Sequence, residues 1–238
     1  MNAATHLTLI MPAYNEVKAI ARALAEAQAY LGLRGLSYEI IVSADGTDGT
    51  REVVAELAKA DSRLRVIGSP ERKGKGYGVR QAVFLAQGDV IGFTDADNKS
   101  PITELDKVLP CFQEGYDLVI GSRALKTSQV TRKQPLYRQI GSMGFGFFLK
   151  RVTGIKGIPD TQCGFKFFRR EVALDLFKRQ RIDGYMFDAE ILYLAQKSNY
   201  RLMQVGILWK DDRDSRLVLV RGNIQNVMDV LKIRFCSR

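Results

Sequence analysis

Short apolar runs alternate with amphipathic stretches through the first half of the chain. The runs at 7–11, 38–43, 64–67, 90–94 and 117–121 are dominated by Leu, Ile and Val and are too short for buried helices. They read as strands covered on both faces. The intervening stretches follow the helical period. Residues 17–31 place Ile20, Leu24 and Leu31 on one stripe, with Asn15 as N-cap. A second helix starts near Thr50 and turns Val53, Val54 and Leu57 inward. A third covers 77–87, and a fourth follows Pro101, a residue suited to a first helical turn. Strand and helix in regular alternation predict an α/β architecture, a Rossmann-like, mostly parallel sheet with helices on both faces.

After Arg123 the alternation stops. Residues 124–165 are rich in Gly, Lys and Arg with only patchy helical spacing. Helices return at 170–178 and 188–197, followed by a strand at 202–209 and a basic amphipathic helix at about 223–235. No linker, repeat or low-complexity tract interrupts the chain, which predicts a single domain over 1–238.

Composition narrows the chemistry. With 238 residues and 46% apolar content, the chain can bury a sizeable core. Its three cysteines are scattered without a CxxC pair, which points to a reducing compartment and away from zinc. His6 is the single histidine, so a histidine-based metal site or catalytic triad is excluded. A metal here has to be held by carboxylates, which suit Mg²⁺ or Mn²⁺. The net charge of +10 calls for an anionic partner. Nothing reads as a signal peptide, and no apolar run approaches the ~18–20 residues that cross a bilayer. The expectation is a chain that is soluble or lies on a membrane surface.

Four motifs follow strands or open helices, where a doubly wound sheet gathers its loops. Thr94-Asp95-Ala96-Asp97 leaves the run at 90–94, and its two carboxylates can reach one divalent cation bridging a diphosphate. Pro12-Ala-Tyr-Asn-Glu16 offers Tyr14 for stacking on a base and Glu16 as an acceptor for base or ribose. Ser43-Ala-Asp-Gly-Thr-Asp-Gly-Thr50 combines small residues with Asp45 and Asp48. Arg72-Lys-Gly-Lys-Gly76 opens a helix with glycines and with Lys73 and Lys75, a candidate anion site. Each alone reads equally well as a polar turn; their occurrence together in this order does not.

The series PAYNE (12–16), DGTDGT (45–50), GKG (74–76), DAD (95–97) and GSR (121–123) resembles family 2 glycosyltransferases of the GT-A fold. Asp160-Thr-Gln-Cys-Gly-Phe-Lys166 and Phe187-Asp-Ala-Glu190 are similar to the dolichyl-phosphate glucosyltransferases and close to the dolichyl-phosphate mannose synthases. The resemblance implies a nucleoside diphosphate sugar over Pro12, Tyr14, Glu16 and Asp45, to which the motifs add Asp48 and Lys75 as candidate nucleotide-binding residues. It implies Asp95 and Asp97 as ligands of Mg²⁺ or Mn²⁺ and of the diphosphate. Arg123, Arg138 and Ser142 match positions that hold the acceptor phosphate in the mannose synthases. Lys99 stands where those enzymes carry a metal-binding Gln, which weakens the GDP-mannose reading; the segments 160–166 and 187–190 put glucose from UDP-glucose first, with UDP-N-acetylglucosamine a further donor to test.

The acceptor assignment also has a chemical basis. A phosphate monoester, with a second pKa near ~6, is mostly dianionic at neutral pH and needs arginines to hold it more than a base to activate it. Asp97, Asp160 and Asp188 are the candidate catalytic carboxylates, the last two for positioning, and Arg213, Ser215 and Arg216 could close over the diphosphate. The aromatic, basic segment 145–151 and the C-terminal stretch 227–238 are candidates for a membrane surface. The chain thus reads as a nucleotide-sugar half (1–123) and an acceptor half (124–238), peripheral on the cytosolic face of a membrane. The partners expected are a nucleoside diphosphate sugar and polyprenyl or dolichyl phosphate. Two other classes fit less well. A nucleic-acid-binding protein would show an aromatic-interleaved basic pattern, and a sugar-nucleotide nucleotidyltransferase would open with a glycine-rich loop after its first strand.

Overall fold

The computed structural model describes residues 6–131, 136–210 and 221–236, without the side chains of 136–140, 142 and 221–223. Its strands are β1 His6–Tyr14, β2 Ser37–Asp45, β3 Leu64–Ile67, β4 Val90–Thr94, β5 Leu118–Ser122, β6 Gln129–Val130, β7 Phe165–Arg169, β8 Leu202–Gly206 and β9 Leu208–Trp209. Its helices are α1 Ile20–Leu33, α2 Thr50–Ala60, α3 Lys75–Leu85, α4 Leu105–Gln113, α5 Leu136–Thr153, α6 Arg170–Arg179, α7 Phe187–Lys197 and α8 Arg221–Cys236.

One sheet of seven strands runs β3-β2-β1-β4-β7-β5-β8, parallel throughout except for β7. Alternate side chains feed two cores, one on each face. Leu7, Leu9 and Met11 of β1 join Ile20 and Leu24 of α1 and Leu105 of α4 on one face. Ile10, Phe93 and Phe168 join Val79 of α3, Leu176 of α6 and Phe187 of α7 on the other. Burying each such side chain contributes about 1.5–3 kcal/mol, and burial on both faces explains strands that are apolar without interruption. Strands from both halves of the chain belong to this one sheet, so the single-domain, mostly parallel α/β expectation holds.

Several local expectations change. Asn15 does not cap α1, whose N-cap is Ala19 with no side-chain hydrogen bond. Asn15 instead adopts φ +55° and accepts from the Thr47 N–H at 3.2 Å, joining two loops. Leu57 is exposed, because α2 covers the sheet margin with Val54 as its one buried apolar side chain. The stretch 202–209 is two strands rather than one, β9 leaving the main sheet to pair with β6. The patchy region holds the 18-residue helix α5, and β7 was not anticipated as a strand. Because β7 runs antiparallel, pairing Phe165 with Thr94, its start lies at the same edge as the ends of β4 and β5. That edge carries the candidate site. Among the described residues no helix is long and apolar enough to cross a membrane.

Candidate active site

The pairing of β1 with β2 sets Pro12 beside Ser43 and Tyr14 beside Asp45, so both motifs leave the sheet side by side. Asp45 accepts from the Lys73 N–H at 2.8 Å, and Arg72 lies 4.3 Å from the centre of the Tyr14 ring. Tyr14 is more than a third exposed. Asp48 plays an internal part: its oxygens accept from the Val17 N–H, the Thr50 N–H and the Thr50 hydroxyl at 2.6–3.0 Å. Thr50 in turn accepts from the Glu16 N–H at 2.9 Å. Asp48 therefore braces the loop that presents Glu16, at the start of α2 where a carboxylate satisfies helix amides.

The glycines at the start of α3 answer to protein neighbours. A Cβ on Gly74, at φ +110°, would stand 2.3 Å from the Asp183 carbonyl oxygen, and one on Gly76 would stand 2.6 Å from that of Ile182. The helix start packs against segment 182–184, and the Tyr77 N–H donates to the Asp183 carbonyl at 3.2 Å. Lys75 turns to the centre of the site and pairs with Asp95 at 2.6 Å. Burial pulls its ammonium pKa down, but Asp95 and Asp188 outweigh this and raise it above the ordinary lysine value. It stays charged.

Asp95 follows β4 directly, and Gly164 approaches it from the start of β7. A Cβ on Gly164 would lie 2.1 Å from Asp95 Oδ2, so no other residue fits without displacing the carboxylate. Two residues further on, Lys166 is fully buried on a sheet strand. Its ammonium donates to the carbonyls of Thr161 (3.2 Å) and Cys163 (2.6 Å) and to the buried carboxylate of Asp188 on α7. Asp95, Lys75, Asp188 and Lys166 thus alternate in charge from the crevice into the core. Phe93 and Phe187, 5.5 Å apart, pack beneath them. The Cys163 thiol is pushed up to about 12, chiefly by burial, which makes it inert at neutral pH.

Arg123 follows β5. It grips Asp160 with Nε and Nη2, both at 2.8 Å, while its own N–H donates to Asp160 at 2.9 Å. Its guanidinium lies 5.2 Å from the centre of the Trp209 ring. Burial pushes the Asp160 pKa up, but Arg123 holds it below the usual carboxylate range; Arg123 is correspondingly raised against its own burial, with a contribution from Asp95. Asp160 is thus an ionised partner that orients Arg123.

Tyr14, Glu16, Asp45, Lys75, Asp95, Asp97, Arg123, Asp160 and Asp188 therefore lie on strand ends, loops and helix starts at one sheet edge. Arg138 and Ser142 belong to α5, but their side chains are outside the described residues, as are Arg213, Ser215 and Arg216 entirely. Lys166, Gly164 and Trp209 were missed as participants. The signal for Lys166 was a cation inside the apolar run Phe165–Arg169. Among the described residues no three His, Cys, Asp or Glu side chains converge to cage an ion. Asp95 and Asp97 supply two partly exposed, hard oxygen donors, a set that fits Mg²⁺ or Mn²⁺ completed by ligand oxygens.

The sequence model described as Glycosyl transferase family 2 matches residues 8–177. A dolichyl-phosphate beta-glucosyltransferase of Dictyostelium discoideum is 34% identical, over 97% of this chain and 74% of that protein. The Homo sapiens protein of the same name is 31% identical, over 96% and 74%. Glucosyl-3-phosphoglycerate synthase of Mycobacterium tuberculosis, crystallised with Mn²⁺, uridine diphosphate and phosphoglyceric acid, superposes with a TM-score of 0.68 at 20% identity, over 97% of this chain and 78% of that one. That likeness establishes the GT-A fold. The chain belongs to glycosyl transferase family 2 and is a glycosyltransferase.

Proposed function

We propose that the chain transfers glucose from UDP-glucose to dolichyl phosphate, or a related polyprenyl phosphate, with inversion at the sugar carbon. The observation that carries this reading is similarity over nearly the whole chain to proteins named dolichyl-phosphate beta-glucosyltransferases. Tyr14, Glu16, Pro12 and Asp45 take the nucleoside, at the ends of β1 and β2. Asp95 and Asp97 hold Mg²⁺ or Mn²⁺, which when bound offsets the charge gathering on the departing diphosphate. A fold neighbour crystallised with Mn²⁺ and uridine diphosphate supports that choice of ion and base.

Arg123, aimed by Asp160, presents the lipid phosphate; Arg138 and Ser142 assist from α5, and Arg213, Ser215 and Arg216 close over the diphosphate. The dianionic phosphate attacks without a general base. Asp160 and Asp188 are each committed to a buried or half-buried cation, which supports positioning roles for both. The test is to incubate purified protein, polyprenyl phosphate and Mn²⁺ with a panel of labelled UDP- and GDP-sugars. Label should enter the organic phase from UDP-glucose. Label from GDP-mannose or UDP-N-acetylglucosamine instead would reassign the donor, and none from any sugar would remove the function.

A lipid acceptor also requires contact with a bilayer, and we assign it to α5 and α8, peripheral on the cytosolic face. Leu149, Val230 and Ile233 anchor these helices in the core, while Met143, Phe147, Ile224, Met228 and Phe235 face outward, each at least half exposed. Lys150, Arg151 and Arg234 lie in the last turns, suited to anionic headgroups. Replacing Phe147 and Phe235 together by Asp should lower binding to phosphatidylserine vesicles in flotation at least tenfold, given about 1.5–3 kcal/mol per buried aromatic. Undiminished flotation would move the contact elsewhere.

A further inference from the structure

Each carboxylate of Asp95-Ala96-Asp97 has a lysine of its own. Lys75 Nζ lies 2.6 Å from Asp95 Oδ1, and Lys99 Nζ lies 2.9 Å from Asp97 Oδ2. Both lysine side chains are 17% exposed, against 42% and 31% for Asp95 and Asp97. The carboxylates thus face the crevice more openly than the ammoniums that neutralise them. The two lysines arrive by unrelated routes, Lys75 from the first turn of α3 and Lys99 from the turn after β4.

The Lys99 main chain is fixed on both sides. Its N–H donates to Asp97 Oδ1 at 3.2 Å, and its carbonyl accepts from the Lys210 N–H at 2.9 Å. Asn98, at φ +54°, completes the bend that returns Lys99 to Asp97. Asp97 therefore binds the side chain and backbone of the same residue, and Lys99 stays by the site whether or not its ammonium is engaged.

An ammonium has no lone pair and cannot ligate a metal. A divalent ion arriving alone must take Asp97 from Lys99 while facing two nearby positive charges. A nucleoside diphosphate reverses this balance, because its oxygens give both ammoniums new anionic partners as the carboxylates turn to the ion. We propose that Lys99 orders donor binding: it withholds Asp97 from a bare metal ion and passes its ammonium to the diphosphate when metal and nucleotide arrive together. This role rests on the reading that Asp95 and Asp97 share a divalent ion with a nucleoside diphosphate.

The experiment compares Lys99→Met and Lys99→Arg with the wild-type chain, using Mn²⁺ binding by electron paramagnetic resonance and UDP binding, with Mn²⁺ present, by calorimetry. A partly exposed ion pair contributes up to about 1 kcal/mol, or about fivefold in affinity. Lys99→Met should therefore bind Mn²⁺ without nucleotide about fivefold more tightly and bind UDP in the presence of Mn²⁺ about fivefold more weakly, while Lys99→Arg keeps wild-type values. These opposite shifts cannot come from a damaged fold, which weakens both. Unchanged Mn²⁺ affinity in Lys99→Met, or parallel losses, overturns the role of Lys99 while leaving the Asp95–Asp97 site standing if the wild-type chain takes up Mn²⁺ with UDP. Failure of the wild-type chain to bind Mn²⁺ even with UDP sinks both.

Discussion

Lys166→Met is expected to destabilise the protein by about 3–5 kcal/mol, the usual cost of stripping one partner from a buried ion pair. Lys166 is 0% exposed and Asp188 3%. Without the ammonium, the Asp188 carboxylate would be left buried without its partner, and the carbonyls of Thr161 and Cys163 would lose a donor they share. Lys166→Met combined with Asp188→Leu should regain much of the loss, because the uncompensated charge is removed along with its partner. Urea unfolding of the wild type, both single variants and the double variant forms a cycle that checks this. A loss below about 1 kcal/mol for Lys166→Met alone would mean that the pair is not the buried bridge between β7 and α7.

The consequence extends to the site. Asp188 acts on Lys75, and Lys75 holds Asp95, so a disturbed Asp188 alters the charge that positions a carboxylate of the donor site. Where the Lys166→Met variant remains folded, its donor binding should weaken along with its stability.

The second large effect is on turnover. Asp97→Ala should lower sugar transfer by about 10²–10³-fold or more, since charge stabilisation of a leaving diphosphate is worth several kcal/mol and each 1.36 kcal/mol is tenfold in rate. Excess Mn²⁺ should not restore it, because the ligand itself is gone. Folding should survive: the Asp97 side chain is nearly a third exposed and its ion pair with Lys99 lies at the crevice, so the loss in stability is that of a surface pair, about 1 kcal/mol or less. Initial rates across a Mn²⁺ titration, alongside a thermal melt, separate the two effects. Transfer at the wild-type rate would remove Asp97 from the site.

The strands through β5, the helices between them and the clustering of motifs at one sheet edge were legible because each depends on local periodicity. Buried parallel strands announce themselves as short apolar runs, and the loops that follow them must lie at one edge. The loops that carry Asp95 and Asp97, and the strand ends that carry Tyr14 and Asp45, were placed at that edge by this rule. β7 escaped because its partners β4 and β5 lie far away in sequence, and nothing local in Phe165–Arg169 says that it runs antiparallel. Asn15 was misread as a cap because an Asn before a helix has two local uses, and a contact with Thr47 decided between them.

The sequence by itself determined the α/β class, the edge at which chemistry occurs and the residue types available there: carboxylates for a hard cation, arginines for a phosphate, and no histidine cluster. Those properties follow from composition and from periods of two and 3.6, which the chain carries locally. Tertiary structure alone decided which charges meet. Lys75 could serve a diphosphate or a carboxylate, Asp160 a sugar or an arginine, and Lys166 solvent or a core. Each choice was made by residues that the fold brings together from distant positions, since the strength of a charge pair depends on separation and burial, neither of which is written in the order of residues.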